Sequence, residues 1–265
     1  MYIFVCEDSI DGIFTGIYDA WASKYGLKNI CLTTNSSNEN LNLFYQYVSI
    51  TTDVTKSQKV AKTLMERLGE DVYGQLCQAA VSTIEKINRN EQLQKADAIY
   101  KTVVFGLSLT DGSKVLNYLG DPYVNYVFKL SRATGNEAHH LTGFLRFAEL
   151  ENGVLFAKIH PKNNVLPILA EHFTDRFPLE NFIIYDENRK LAAIHKKEKH
   201  YMLADVPDAS LSYMNQLSEG ELEYRKLWCG FFDNITIESR KNSRLQSQNF
   251  PKRFWKDAIE MTYQR

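Results

Sequence analysis

Hydrophobic and polar positions alternate in a way that predicts a strand, a turn and a helix at the start of the chain. Residues 2–6 form a short run of β-branched and aromatic side chains, the composition of a buried strand. Acidic turn residues follow, after which Ile13, Ile17 and Ala20 recur at helical spacing. A similar β-rich run at residues 44–50 predicts a second strand.

Three helices are predicted next. Apolar residues recur at helical spacing in two successive segments, which predicts two amphipathic helices. The first segment contains Val60, Leu64 and Leu68, and the second contains Leu76, Ala80, Ile84 and Ile87. A polar junction at residues 69–71 separates these two helices. Asp121 and Pro122 then predict a helix that runs to about Arg132, because Asp accepts hydrogen bonds from free amides at the N-cap and Pro suits the first helical position.

The second half of the chain predicts strands around one helix. Phe144, Leu145 and Phe147 predict a strand, residues 151–153 a hairpin turn and residues 154–159 the returning strand. The remaining elements are a helix over residues 165–173, strands at 182–185 and 191–194 around a turn at 186–190, and a last helix. Ser218 and Glu221 have the spacing of a capping box at the start of that last helix.

These elements predict an α+β protein with two lobes. Residues 1–133 form a mainly helical lobe with a short amino-terminal strand. Residues 134–265 form a small antiparallel sheet lobe with a carboxy-terminal helix and a basic, aromatic tail.

Composition places the chain among ordinary globular proteins. Apolar residues make up 44% and charged residues 24% of its 265 residues, and no apolar run approaches the roughly 18 residues of a membrane helix. With a net charge of −1, any affinity for nucleic acid must come from a local patch. Four widely spaced cysteines and an opening strand in place of a leader favour a cytoplasmic protein with reduced thiols and no membrane contact.

The tail, residues 239–256, is such a patch. It holds six positive charges and no Asp or Glu, and it interleaves them with Phe250, Phe254 and Trp255. Lys and Arg neutralise phosphates while aromatic rings stack on exposed bases, so the tail indicates nucleic-acid binding. The alternative is that the tail wraps the body and packs its rings there.

A second candidate is the run at residues 139–147, where two histidines and an arginine lie among aromatic side chains. A core strand would favour aliphatic residues, so this mixture indicates an anion site. Arg146 and Arg176 are the candidates for phosphate contacts, because a guanidinium binds phosphate in a bidentate manner and stacks on rings. The alternative is a structural ion pair with Glu149 or Asp175.

Catalytic signals are weaker. His139 is a candidate general acid or base through its nearness to Arg146 in the sequence, with a structural role as the alternative. The histidines show no metal-ligand spacing, and no GxGxxG, P-loop or GxSxG motif is present. We therefore expect neither a metal nor a cofactor, and the sequence leaves open whether the chain is an enzyme.

Several motifs carry a family resemblance. His139 precedes Phe-x-Arg-Phe at residues 144–147, and Phe-x-x-Arg-Phe is met by Phe173, Arg176 and Phe177. The most specific part of the family's sequence pattern lies in the tail. The residues that match it are Arg240, Asn242, Leu245, Gln246, Pro251, Arg253, Phe254 and Trp255. In these motifs the chain resembles an uncharacterised bacterial family associated with DNA metabolism or repair and defined around a domain of unknown function.

The resemblance implies a role beside a radical SAM protein, since members are typically encoded next to one that is associated with DNA. This chain lacks the CxxxCxxC that ligates a radical SAM cluster, so the partner would perform such chemistry. We therefore hypothesise an accessory protein that binds single-stranded or distorted DNA. The expected phosphate contacts are Arg146, Arg176, Arg240, Arg244, Lys252 and Arg253, with Phe254 or Trp255 as the stacking ring.

Two alternatives come from other classes of protein. One is an enzyme that acts on a nucleotide or a damaged base, with His139 as general acid or base and Arg146 holding phosphate. The other is a protein-interaction scaffold whose basic tail docks on an acidic partner.

Overall fold

The structure is a computed structural model that describes residues 1–34, 44–83, 93–206, 216–235 and 237–262. Contacts within the chain divide it into two compact units, an amino-terminal unit Met1–Asn136 and a carboxy-terminal unit Glu137–Arg265. We expected a boundary between residues 133 and 134; the division of contacts falls between residues 136 and 137, inside a long helix.

The amino-terminal unit contains a parallel sheet of short strands. β1 (Tyr2–Val5) lies between β2 (Ile30–Thr33) and β3 (Gln46–Ser49) and pairs in parallel with both. Ile3, for example, lies opposite Cys31. β1 and β3 confirm the two predicted strands, whereas β2 was not predicted.

Helices build the rest of this unit. Their bounds are α1 Ile10–Ala22, α2 Val54–Leu68, α3 Glu70–Ala80 and α4 Lys95–Ser108. Gly69, at φ +90°, joins α2 to α3 and confirms the predicted junction. Ile84 and Ile87, which we expected on the second of these helices, lie outside the described residues. Phe14, Leu64, Leu68 and Leu76 are buried in the core that these helices share.

Helix α5 (Pro122–Phe144) begins where the sequence predicts. The Oδ1 atom of Asp121 accepts hydrogen bonds from the backbone N–H groups of Tyr123, at 2.9 Å, and Val124, at 3.1 Å. The expected end at Arg132 is wrong, because α5 continues to Phe144. Val127, Leu130 and Thr134 are buried in the part of α5 that belongs to the amino-terminal unit, and Ala138 and Leu141 are buried in the part that belongs to the carboxy-terminal unit.

The longer helix also corrects the strand that we predicted at Phe144–Phe147. Phe144 is the last residue of α5, and pairing begins only at β4 (Ala148–Glu149). The histidines and aromatic residues of this run broke the aliphatic pattern that we used to recognise a helix, although buried Ala138 and Leu141 keep its period.

The carboxy-terminal unit contains a mixed sheet in the order β4-β5-β6-β7-β8. The bounds that follow β4 are β5 Leu155–Ile159, α6 Leu166–Arg176, β6 Phe182–Asp186, β7 Leu191–His195 and β8 Met202–Asp205. β5 and β6 pair in parallel, with Ala157 opposite Ile184, because α6 carries the chain back between them. The other pairings are antiparallel.

These elements confirm the α+β class, the hairpin turn at residues 151–153 and the helix over 165–173. They correct one detail, because the sheet is mixed where we expected it to be antiparallel. β8 was not predicted; Met202 and Leu203 are exposed, so its sequence lacks a buried face that would mark a strand.

The chain then forms one longer helix, two short helices and two 3₁₀ turns among the described residues of the same unit. Their bounds are α7 Glu219–Asn234, α8 Ser243–Asn249 and α9 Ile259–Thr262, with 3₁₀ turns at Glu238–Arg240 and Lys252–Asp257. Ser218 Oγ accepts from the backbone N–H of Glu221 at 3.0 Å, as the capping spacing predicts. The Glu221 carboxylate accepts from the backbone of Glu149 and thereby ties α7 to β4.

Candidate nucleic-acid interface

Two clefts of the carboxy-terminal unit contain three of the predicted site residues, His139, Arg146 and Arg176. The first, the Arg146 cleft, has a volume of about 600 Å³ and is lined in part by Arg146, Lys158, Tyr224, Trp228, Lys256 and Asp257. The second, the histidine cleft, has a volume of about 550 Å³ and is lined in part by His139, His140, His172, Arg176, Gln248 and Asn249. His139 therefore shares a cleft with Arg176, whereas Arg146, which the enzyme alternative combined with His139 in one site, lines the other cleft.

Arg146 is anchored from both sides. Its Nη1 donates to the carbonyl oxygens of Gly143, at 3.0 Å, and Leu145, at 3.3 Å, at the end of α5. Its Nη2 donates to the carboxylate of Glu260 at 2.7 Å, and the Glu260 side chain is only 4% exposed. The ion pair that the sequence offered as an alternative therefore exists, but with Glu260 on α9 in place of Glu149 or Asp175.

The same carboxylate holds Trp228 of α7. Trp228 Nε1 donates to the second oxygen of Glu260 at 3.3 Å. Burial alone would raise the pKa of Glu260, but hydrogen bonds from Arg146, from the backbone and from Trp228, with the charge of Arg146, leave it below the ordinary value. Glu260 therefore stays ionised, and it holds the Arg146 guanidinium and the Trp228 indole ring at the wall of the Arg146 cleft.

A histidine between two carboxylates lies beside this cleft. His160 Nδ1 lies 2.8 Å from the carboxylate of Asp257, and its Nε2 contacts the carboxylate of Glu187. Glu187 also pairs with Lys158, at 3.4 Å. Burial acts to raise the pKa of Glu187, and the hydrogen bonds and charges of His160 and Lys158 outweigh it, so the pKa lies below its ordinary value.

Sequence reasoning missed this group. His160 and Asp257 lie 97 positions apart, and neither stands in a recognisable motif. One local feature could have pointed to His160 as a site residue: it directly follows β5, where the chain leaves the sheet.

Cations and rings share the Arg146 cleft. Arg225 is paired with Glu221 at 2.7 Å, one helical turn away, while Lys256 makes no ion pair within the described residues. Tyr224 is 64% exposed. The cleft thus offers both positive charge and a flat ring that a ligand can reach.

The tail cations are largely exposed. Arg240, Arg244, Lys252 and Lys256 lie at the surface. Arg253 is a mixed case, because it pairs with the buried carboxylate of Glu137 at 3.2 Å while its side chain remains 39% exposed. Its guanidinium also lies 4.4 Å from the ring centre of Phe254.

Phe254 is not an exposed stacking ring. It is 4% exposed and packs in the core of this unit, with its ring 5.4 Å from that of Phe144. Trp255 is half-buried, and its Nε1 donates to the carbonyl oxygen of Phe250 at 2.9 Å. The alternative that the tail packs its rings therefore holds for Phe254, and it coexists with the exposed charges.

The described residues show no group of three or more His, Cys, Asp or Glu side chains that could hold a metal ion. Over the same ranges, no helix is both long and apolar enough to cross a membrane.

Comparison with known proteins places this site in a family. The chain belongs to the family of the domain of unknown function DUF4130, whose model matches residues 93–260. No curated protein matches the chain. The matched residues include the histidine cleft, the Arg146–Glu260 pair and the tail cations. The expected family without an assigned function is therefore confirmed, and its link to DNA repair stays a prediction.

Proposed function

We propose that the carboxy-terminal unit binds DNA in a single-stranded or distorted form. The observation that carries this proposal is the basic tail, which has six cations and no carboxylate over residues 239–256. Arg240, Arg244, Lys252 and Lys256 are exposed there, so phosphates can approach them without breaking the fold. The resemblance adds a radical SAM protein as the partner that would perform chemistry on the DNA.

The Arg146 cleft supplies a site for bases beside these charges. Lys256 belongs to both the tail and the cleft lining. Tyr224 is exposed, and Trp228 is positioned by its hydrogen bond to Glu260. A strand whose phosphates follow the tail can therefore place a base against these rings, and a single-stranded or distorted site exposes bases in this way.

The tail lysines and Arg244 are the appropriate test positions. Arg146 and Arg253 pair with buried carboxylates, so truncating them would destabilise the protein as well as remove a charge. An Arg244→Ala, Lys252→Ala, Lys256→Ala variant removes charge without breaking any ion pair in the described chain. The matched control removes the same charge from exposed lysines outside the tail and both clefts, as Lys196→Ala, Lys197→Ala, Lys199→Ala.

Fluorescence anisotropy with labelled single-stranded and duplex DNA across a salt series measures the outcome. Log affinity falls as log salt concentration rises. Loss of three phosphate contacts should make this slope shallower by about 2 for a single strand. The control should keep the slope of the parent. Equal slopes for parent and tail variant, both folded by circular dichroism, would refute the proposal, and complex formation with an acidic protein partner alone would favour the scaffold alternative.

One observation favours an enzyme as the second candidate. The carboxylate of Asp257 lines the Arg146 cleft and is held by His160, which Glu187 contacts from the other side. A carboxylate oriented in this way can act as a general base on a ligand in the cleft, a role that we had assigned to His139. Asp257→Asn should abolish turnover of a modified-base oligonucleotide, followed by mass spectrometry, and retain the salt slope of the parent.

A further inference from the structure

The histidine cleft differs from the Arg146 cleft in its charge. None of the residues that line it is acidic. Helix α5 contributes His139 and His140, α6 contributes His172 and Arg176, and α8 contributes only neutral amide side chains. The cleft therefore presents hydrogen-bonding side chains from three helices and the positive charge of Arg176, and its lining has no carboxylate that would repel an anion.

Neighbouring rings hold these donors in place. The His140 ring stacks on Phe144 with centroids 5.7 Å apart and meets the edge of Phe254 at 5.9 Å. His172 and Arg176 lie one helical turn apart on α6, so their side chains project from the same face. His172 packs edge-on against Phe173, with ring centroids 5.0 Å apart.

Among the described residues, no carboxylate lies within ion-pair distance of Arg176, His139 or His172. The Arg176 guanidinium lies 5.9 Å from the ring centre of Phe177. The Nδ1 atom of His140 is buried and has no hydrogen-bond partner. The nearby Glu137 carboxylate is already occupied, by two backbone N–H groups, by the Asn163 side chain and by Arg253. A cleft whose arginine and histidines are not taken up by carboxylates is suited to bind an anion.

We propose that the histidine cleft binds a phosphate monoester. A monoester carries close to two negative charges and three terminal oxygens, whereas a phosphodiester in a strand carries one charge and two such oxygens. Arg176 can bind two oxygens in a bidentate manner, and the imidazoles can donate to the third. The ligand would thus be a free nucleotide or the phosphorylated end of a strand, and the site does not depend on the tail.

Isothermal titration calorimetry with inorganic phosphate is the first test. Arg176→Ala combined with His172→Gln should weaken binding by at least about tenfold, because each removes a charge-assisted hydrogen bond. His200→Gln combined with Lys197→Ala is the control, since it removes one histidine and one cationic side chain from exposed positions outside the cleft. No saturable binding by the parent, or an equal loss in the control, would overturn the proposal.

Sulfate tests whether the cleft recognises a doubly charged tetrahedral anion. Sulfate should bind the parent more tightly than the Arg176→Ala, His172→Gln variant, because both side chains line the cleft. Equal affinities would contradict the role of these two side chains.

Paired ligands identify the source of the phosphate and separate the two proposals. A nucleoside 5′-monophosphate is compared with its nucleoside, and a 5′-phosphorylated oligonucleotide with the unphosphorylated strand. A gain from phosphate in either pair supports the site, and no gain in both overturns it. The tail variant should keep the gain in affinity from phosphate and show a smaller salt slope. The Arg176→Ala, His172→Gln variant should lose the gain and keep the salt slope of the parent.

Discussion

Arg146 and Glu260 form an ion pair across 114 positions of the sequence, with Nη2 and Oε1 2.7 Å apart. Arg146 follows the end of α5 and Glu260 lies on α9, so the pair joins the last helix to the end of the helix that opens this unit. Because Glu260 also accepts from Trp228 of α7, one buried carboxylate fixes three segments of the carboxy-terminal unit.

Removing Arg146 should therefore cost more than removing the whole pair. Arg146→Met leaves the Glu260 carboxylate buried with only part of its hydrogen bonds, and we expect a loss of about 2 kcal/mol in the free energy of unfolding. Arg146→Met combined with Glu260→Met should recover part of that loss. Urea denaturation followed by circular dichroism measures both, and additive effects would contradict direct coupling.

The same carboxylate predicts a pH dependence. The pKa of Glu260 is lowered in the folded protein, so its contribution to stability is present above the unfolded-state value of about 4.3 and is lost as the pH falls through the lower folded value. Glu260→Gln should flatten the stability profile of the protein in that acidic range. Urea midpoints at pH 7 and at steps down to pH 3 provide the comparison; a profile parallel to that of the parent would refute the assignment.

Two helical glycines should respond to alanine in opposite directions. A Cβ on Gly12 would lie 2.4 Å from the backbone carbonyl oxygen of Glu7, so Gly12→Ala should destabilise the protein by about 1–3 kcal/mol. A Cβ on Gly74, inside α3, would meet nothing within 4 Å, and Gly74→Ala should stabilise it by about 0.5–1 kcal/mol. Thermal melts distinguish the two signs, and a stabilised Gly12→Ala variant would contradict the close approach.

The turn between β6 and β7 should depend on Asp186. Its side chain is fully buried, accepts from the backbone N–H groups of Asn188 and Arg189, and pairs with the Arg189 guanidinium at 2.8 Å. Asp186→Ala should cost about 3 kcal/mol, because it leaves these donors unpaired. Asp186→Asn keeps an acceptor and should cost less. Denaturant midpoints of the two variants test this order of stabilities. Equal losses of stability in both variants would contradict it.

The cysteines should react slowly while the protein is folded. Burial, with a smaller effect from the charge of Asp8, raises the pKa of Cys6 to about 12. Burial, together with the charge of Asp97, raises the pKa of Cys31 to about 11. Burial raises the pKa of Cys77 to about 11 as well. At pH 8 the reactive thiolate is then at least about a hundredfold scarcer than in a free thiol. Mass spectrometry after iodoacetamide treatment should show these three cysteines labelled only when denaturant is added; their rapid labelling in the folded chain would contradict the burial.

The sequence located the elements whose signals are local. Asp121 and Pro122 set the start of α5, Gly69 the junction of α2 and α3, and Ser218 the start of α7, because each residue acts on its own backbone within one turn. The end of α5 was misplaced since burial on its core side, seen at Ala138 and Leu141, outweighs the unusual composition of the run after Arg132.

The sequence predicted which types of residue form the candidate site, but it did not predict which residues they contact. The sequence by itself determined that basic and aromatic residues concentrate in the tail and around Arg146 and Arg176, because composition is a property of the chain. Only the tertiary structure decided that Arg146 pairs with Glu260, that Phe254 is buried and that Arg176 shares a cleft with His139. Such contacts join distant positions, and their energy depends on burial and distance, which no local pattern of residues specifies.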